Sequence, residues 1–149
     1  MINNDVLRSL RHTLNVPESR LAEITALGGM TVSTDDMVSF VAREEEPHFV
    51  ACPDEVMAHF LAGLTLVKRG AKADGSVAPI ELPLTNNIIL KKIRVAFELK
   101  DVDLANLIKK AGLTVSKTEL SAFFRKPGHR NYRPCGDQFL RNLLKALNT

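Results

Sequence analysis

The chain is one segment written twice, and nothing else in its 149 residues constrains the fold as tightly. Displacing the sequence so that residue 3 falls on residue 86 lays Asn3–Leu66 on Asn86–Thr149 without a gap. Identities under that displacement include Asn3/Asn86, Asn4/Asn87, Leu7/Leu90, Arg11/Arg94, Leu21/Leu104, Ala22/Ala105, Gly29/Gly112, Phe40/Phe123, Cys52/Cys135 and Asp54/Asp137. The tripeptide Thr31-Val32-Ser33 recurs as Thr114-Val115-Ser116. A duplicated segment must be read as one supersecondary unit used twice. Residues that agree between the copies then report on scaffold, and residues that differ report on what each copy does.

Each copy reads as four short helices. Asn3-Asn4 offers N-cap residues, and Val6, Leu7, Leu10 and Leu14 follow at helical spacing, matched by Ile89, Leu90, Ile93 and Phe97. A second helix carries Leu21 and Ile24, or Leu104 and Leu107, and ends at Gly29 or Gly112, where a positive φ carries no steric penalty. Ser33-Thr34-Asp35-Asp36 and Ser116-Lys117-Thr118-Glu119 fit the capping-box pattern that opens a third helix with Met37 and Phe40, or Leu120 and Phe123, on its apolar side. The fourth helix opens at Cys52-Pro53-Asp54-Glu55 or Cys135-Gly136-Asp137-Gln138, with the cysteine read as N-cap and the aspartate in the first turn. Its stripe is Val56, Phe60, Leu61 and Leu64, or Phe139, Leu143, Leu144 and Leu147.

The expected organisation is all-α. Residues 1–69 form an acidic helical repeat, 70–85 a linker and 86–149 a basic, helix-turn-helix-like repeat. Gly70, Gly75, Pro79 and Pro83 break helix in the linker, and its prolines argue against a paired strand at 77–84. Halves of this size are marginal alone, so the two repeats are expected to pack as one pseudo-twofold bundle. A hydrophobic content of 45% supports a core, and 25% charged residues without low-complexity tracts argue against disorder. The start Met1-Ile2-Asn3-Asn4-Asp5 lacks the features of a signal peptide, and no apolar run reaches the length of a membrane span. Two distant cysteines make no disulfide framework, and a cytoplasmic location is expected.

Charge separates the copies. Residues 1–85 hold 7 Lys+Arg against 12 Asp+Glu, a net of −5, and residues 86–149 hold 13 against 5, a net of +8. In the second copy, the helix from Leu104, the turn at Gly112 and the capped helix from Ser116 follow helix-turn-helix order. Ala105 and Gly112 are further apart than that motif's tight form places its small residue and glycine. Lys117 opens the second of these helices, Arg125, Lys126, His129, Arg130 and Arg133 follow it with Tyr132 among them, and Lys109 and Lys110 lie nearby. These residues are the candidate nucleic-acid contacts, because affinity for phosphate backbones comes from Lys and Arg. The plain alternative is a solvated basic face. The same loop in the first copy is Arg43-Glu44-Glu45-Glu46-Pro47-His48, which repels phosphate. Both copies therefore cannot bind one polyanion with one surface, while the complementary loops permit a homodimer or another protein partner.

Three further constellations carry expectations. A cysteine at a helix N-terminus has its thiol pKa lowered by the helix dipole, making Cys52 and Cys135 candidate reactive thiols beside the blander reading of buried caps. Zinc binding with His48 and His129 is disfavoured, since neither histidine recurs in the other copy (Asn131 and Glu46 stand there). Arg11 with Asp54, and Arg94 with Asp137, are expected to form a structural ion pair shared by both copies. His12 and His59 face Val95 and Asn142 in the alignment, so no histidine chemistry is common to the repeats. No nucleotide-binding glycine loop, zinc-protease motif or nucleophile elbow occurs. No cofactor, metal or small-molecule ligand is implied, and a binding protein is expected rather than an enzyme.

Several segments together resemble a known family: Asn3-Asn4-Asp5-Val6-Leu7-Arg8-Ser9-Leu10-Arg11, Asn86-Asn87-Ile88-Ile89-Leu90-Lys91-Lys92, Phe124-Arg125-Lys126-Pro127-Gly128-His129, Asn131-Tyr132-Arg133 and Cys135-Gly136-Asp137-Gln138-Phe139-Leu140-Arg141-Asn142. They resemble the YehS-like family (DUF1456), small bacterial proteins made of a duplicated domain of unknown function. The resemblance covers nearly the whole chain outside the linker. It implies a bacterial, stand-alone, two-repeat protein and brings no activity, substrate or site residue with it.

Overall fold

The computed structural model describes residues 1–70 and 79–148. Among them lie eight α-helices and no strand. They divide into two compact units, Met1–Leu84 and Thr85–Thr149. The first contains α1 (Asn3–Leu14), α2 (Glu18–Leu27), α3 (Thr34–Val41) and α4 (Asp54–Arg69). The second contains α5 (Asn86–Ala96), α6 (Asp101–Lys110), α7 (Lys117–Phe123) and α8 (Asp137–Leu147). The expected linker at 70–85 lies partly outside the described residues. At its far end the Leu84 N–H donates to Asp54 Oδ2 at 3.2 Å, tying that end to the first unit.

The apolar stripes close as their spacing predicts. Leu7, Leu10, Leu21, Met37, Met57, Phe60 and Leu64 are fully buried in the first unit, and Leu90, Ile93, Leu104, Ile108, Leu140 and Leu143 in the second. Full burial of one such side chain contributes about 1.5–3 kcal/mol, so these few dominate each small core. Leu14, Phe97, Phe139 and Leu147 are only partly buried, and two further positions differ from the expected stripe. Ile108 rather than Leu107 points α6 into the core, and Leu140, one turn before Leu143 and Leu144, joins the α8 face.

Helix ends repeat at matching offsets. α2 and α6 both finish through a left-handed glycine, Gly29 at φ +108 and Gly112 at φ +88. Past each glycine the next N–H reaches back into the helix, Met30 to the Thr25 carbonyl at 3.2 Å and Leu113 to that of Ile108 at 3.1 Å, which is Schellman closure. Ser33 Oγ accepts from the Asp36 N–H and Ser116 Oγ from the Glu119 N–H, each at 3.0 Å. In the second unit Glu119 Oε1 also accepts from the Ser116 N–H at 3.3 Å, completing the reciprocal capping box.

The fourth helix opens one residue later than expected. Pro53 and Gly136 occupy the N-cap in extended conformation, and Asp54 and Asp137 are the first helical residues. Each cysteine sulfur lies over the carbonyl of its successor, 3.7 Å from Pro53 O and 3.6 Å from Gly136 O, and does not cap.

The units differ where two glycines let helices touch. A Cβ on Gly28 would lie 1.8 Å from the His59 carbonyl oxygen, and one on Gly63 would lie 1.8 Å from that of Ile24. Backbone therefore rests on backbone between α2 and α4, an approach only glycine permits. The second unit has Ala111 and Ala146 at those positions, which excludes the same approach between α6 and α8. There α7 also packs less closely on α5 and α6 than α3 does on α1 and α2.

Candidate functional site

The loop after the third helix follows one backbone path in both units. Glu46 N–H to Arg43 O (3.0 Å), Phe49 N–H to Glu46 O (3.1 Å) and Val50 N–H to Ser39 O (3.3 Å) recur as His129 to Lys126 (3.0 Å), Tyr132 to His129 (2.9 Å) and Arg133 to Ala122 (3.2 Å). The ladder is intrinsic to the fold, so the opposite charges sit on equivalent frames.

An asparagine pair on the first helix pins each loop. Expected to cap α1 and α5, these residues lie within them; Ile2 and Thr85 hold the N-cap positions. Asn4 Nδ2 donates to the Val50 carbonyl at 2.8 Å while its Oδ1 accepts from the Cys52 N–H at 2.9 Å. Asn87 Nδ2 donates to both Phe123 O at 3.0 Å and Arg133 O at 2.9 Å, and its Oδ1 accepts from the Cys135 N–H at 2.9 Å. One side chain thus holds the two ends of the basic loop. Asn3 and Asn86 complete the clamp by donating to Cys52 O and Cys135 O, each at 3.0 Å, and to Asp54 Oδ1 and Asp137 Oδ1 at 2.8 and 2.7 Å. These asparagines were visible as shared polar identities; their long-range partners were not.

The expected Arg–Asp ion pairs do not form. Arg11 pairs with Glu18 at 3.2 Å and Arg94 with Asp101 at 2.9 Å, joining the first helix to the start of the second in each unit. Arg94 also lies over the Phe124 ring, 4.5 Å from its centroid. Asp54 and Asp137 are engaged by Asn3 and Asn86 instead. Glu18 and Asp101 are equivalent positions with different acids, so a search for identities alone passes over them.

In the second unit, α7 and the pinned loop line an open cavity of about 540 Å³. Lys117, Arg125, Arg130 and Arg133 line it together with Tyr132 and one carboxylate, Glu119. Four of the six expected nucleic-acid contacts therefore converge on one concavity. Lys126 and His129 lie outside its lining. His129 Nδ1 accepts the Asn131 N–H at 3.0 Å, which commits that ring nitrogen to the loop. Among the described residues, none of Lys117, Arg125, Arg130 and Arg133 has a carboxylate partner. Arg8 and Arg20, by contrast, pair with Asp5 and Glu23 at 2.7 and 3.0 Å. The unpaired cations concentrate positive potential in a concave wall, a geometry that attracts and holds anions. In the first unit Glu46 contacts His48 Nε2 at 3.4 Å, and Glu44 and Glu45 are exposed.

The thiols run against the dipole expectation. Cys52 and Cys135 are buried, and both are pushed up to about 12, first by burial and then by the adjacent Asp54 or Asp137 charge. A thiolate is the reacting species, so this environment suppresses the reactivity that a helix N-terminus would promote. Among the described residues no group of three metal-ligating side chains occurs, and no helix is long and apolar enough to cross a membrane.

Comparison with known proteins reproduces the duplication. A family model described as "Protein of unknown function (DUF1456)" matches residues 3–70 and again 86–149. The chain is 40% identical over 147 residues to "Uncharacterized protein YehS" of Escherichia coli (strain K12), an alignment covering 99% of this chain and 94% of that protein. No solved structure matches significantly.

Proposed function

The chain belongs to the DUF1456 family of proteins of unknown function, and from that premise we propose that it is a binding protein, not an enzyme, whose second repeat contacts nucleic acid. One observation carries this reading: four unpaired cations share one concave wall with an aromatic ring. Phosphate backbones are bound chiefly by such cations, with release of counterions. The loop after α7, rather than α7 itself, supplies most of the charge. α7 has seven residues, of which only Lys117 is basic, so base reading by a helix laid in the major groove is not what these residues favour.

Fluorescence anisotropy with labelled DNA and RNA at about 50 mM salt tests the reading, since electrostatic contacts are strongest at low ionic strength. Saturable binding that is lost in the variant Arg125→Ala/Arg130→Ala/Arg133→Ala is the expected result. No binding to any nucleic acid would overturn it. A second reading rests on the equivalent loop of the first repeat, whose three glutamates follow the same backbone ladder. An acidic loop of a second copy, or an acidic protein, would complement the basic cavity. Light scattering that finds a dimer dissociating with salt supports it, and a strict monomer at low salt removes it.

A further inference from the structure

The basic cavity contains the chain's one tyrosine, and that ring distinguishes between forms of nucleic acid. Tyr132 is partly exposed. Its backbone is held by the bond to His129 O at 2.9 Å, and the next residue is held twice, through Arg133 N–H to Ala122 O and Asn87 Nδ2 to Arg133 O. Its hydroxyl has no hydrogen-bond partner among the described residues. Arg125, Arg130 and Arg133 line the same cavity, so the ring stands on a fixed frame amid cations.

A duplex keeps its base faces stacked on one another and offers a protein only groove edges and phosphates. A ring set inside a concavity gains from a base only when that base has left the stack, as in a single strand. The volume of about 540 Å³ falls within the range of pockets that enclose small organic ligands, roughly 300–1,000 Å³, and suits one base with its sugar. At the equivalent point the first repeat has Phe49, with Glu44–Glu46 in the loop before it, so an aromatic ring recurs there but the cations do not.

We propose that the cavity binds single-stranded nucleic acid, with one unstacked base against Tyr132 and the adjoining phosphates held by Arg125, Arg130 and Arg133. This rests on the nucleic-acid reading above and narrows it. The strand is bound without a strict sequence requirement, because every base presents a face for stacking.

The full chain is titrated with oligothymidylate of about ten nucleotides, a length within the site sizes of single-strand binders, and with a duplex of the same length. Anisotropy reports binding, and NMR follows the tyrosine ring protons, which belong to one residue because no other tyrosine is present. Tighter binding of the single strand, with upfield movement of the ring signals at saturation, is expected. Tyr132→Ala should weaken single-strand binding by about 5- to 150-fold, while Tyr132→Phe, which keeps the face, stays close to the parent. Should Tyr132→Ala fail to fold, the ring shifts of the unaltered chain decide the matter. Duplex bound as tightly as the single strand, or ring signals that stay fixed in a saturated complex, would overturn the proposal and leave the nucleic-acid reading standing. Binding of neither form overturns both.

Discussion

At the scale of the residue, the asparagine clamp recurs in both repeats, with one further bond, Asn87 to Phe123 O, in the second. Asn4 is 1% exposed, and its amide is engaged at both ends, by Val50 O and by the Cys52 N–H. Replacing it with Ala leaves the buried Cys52 N–H without a partner and should cost about 1–3 kcal/mol in urea unfolding; an unchanged midpoint would contradict the clamp. Asn87→Ala predicts a second effect, because it releases both ends of the basic loop. Amide exchange at Cys135 should accelerate, and nucleic-acid affinity should fall although Asn87 does not line the cavity. The thiols make a pH prediction. Each is raised in the folded state from 9.0 to about 12, so the folded chain holds its protons more tightly than the unfolded chain. Their contribution is complete below about pH 9 and is lost as pH rises from about 9 toward 12. Native protein should resist thiol reagents at pH 8 and yield both thiols on denaturation; rapid reaction of the native protein would refute the burial argument.

At the scale of the element, helix type and order were legible because their causes are local: apolar period, capping serines at Ser33 and Ser116, and left-handed glycines at Gly29 and Gly112. What was not legible depends on partners distant in sequence. Asn4 and Cys52 lie 48 residues apart, so no local pattern assigns the asparagine to Cys52 rather than to a cap. The Arg11–Glu18 and Arg94–Asp101 pairs escaped for a related reason, since the acid changes from Glu to Asp between copies. Among the site residues, the convergence of Lys117, Arg125, Arg130 and Arg133 was anticipated as a charge cluster. That loop and α7 fold around a cavity could not be read from composition. The close approach of α2 and α4 was also hidden, although Gly28/Ala111 and Gly63/Ala146 are differences written in the alignment. Gly63→Ala must move backbone that has no room, and should cost more than about 2 kcal/mol, in the upper range of overpacking. The mirror change Ala146→Gly loses only helix propensity and a small contact, about 1 kcal/mol. Equal effects in thermal or urea unfolding would contradict the proposed asymmetry.

At the scale of the whole molecule, duplication followed by charge divergence separates what the repeats are from what they do. Clamps, loop ladder and glycine closures recur at one offset, whereas the net charges are −5 for residues 1–85 and +8 for residues 86–149. A scaffold retained twice with its surface reversed once is why the proposal puts anion binding in the second repeat alone. Glu44→Ala/Glu45→Ala/Glu46→Ala should therefore leave the nucleic-acid contacts intact and raise affinity modestly at low salt, by removing repulsion that salt screens within about 10 Å at 0.1 M. The decisive measurement is the dependence of affinity on salt for one labelled oligonucleotide, compared between the parent chain and Arg125→Ala/Arg130→Ala/Arg133→Ala. If these three arginines neutralise phosphates, log affinity falls linearly with log salt in the parent, and the slope shrinks in the variant by about 0.7–0.9 for each contact removed. A parent and variant with the same slope and the same affinity would contradict the assignment of binding to the basic cavity of the second repeat.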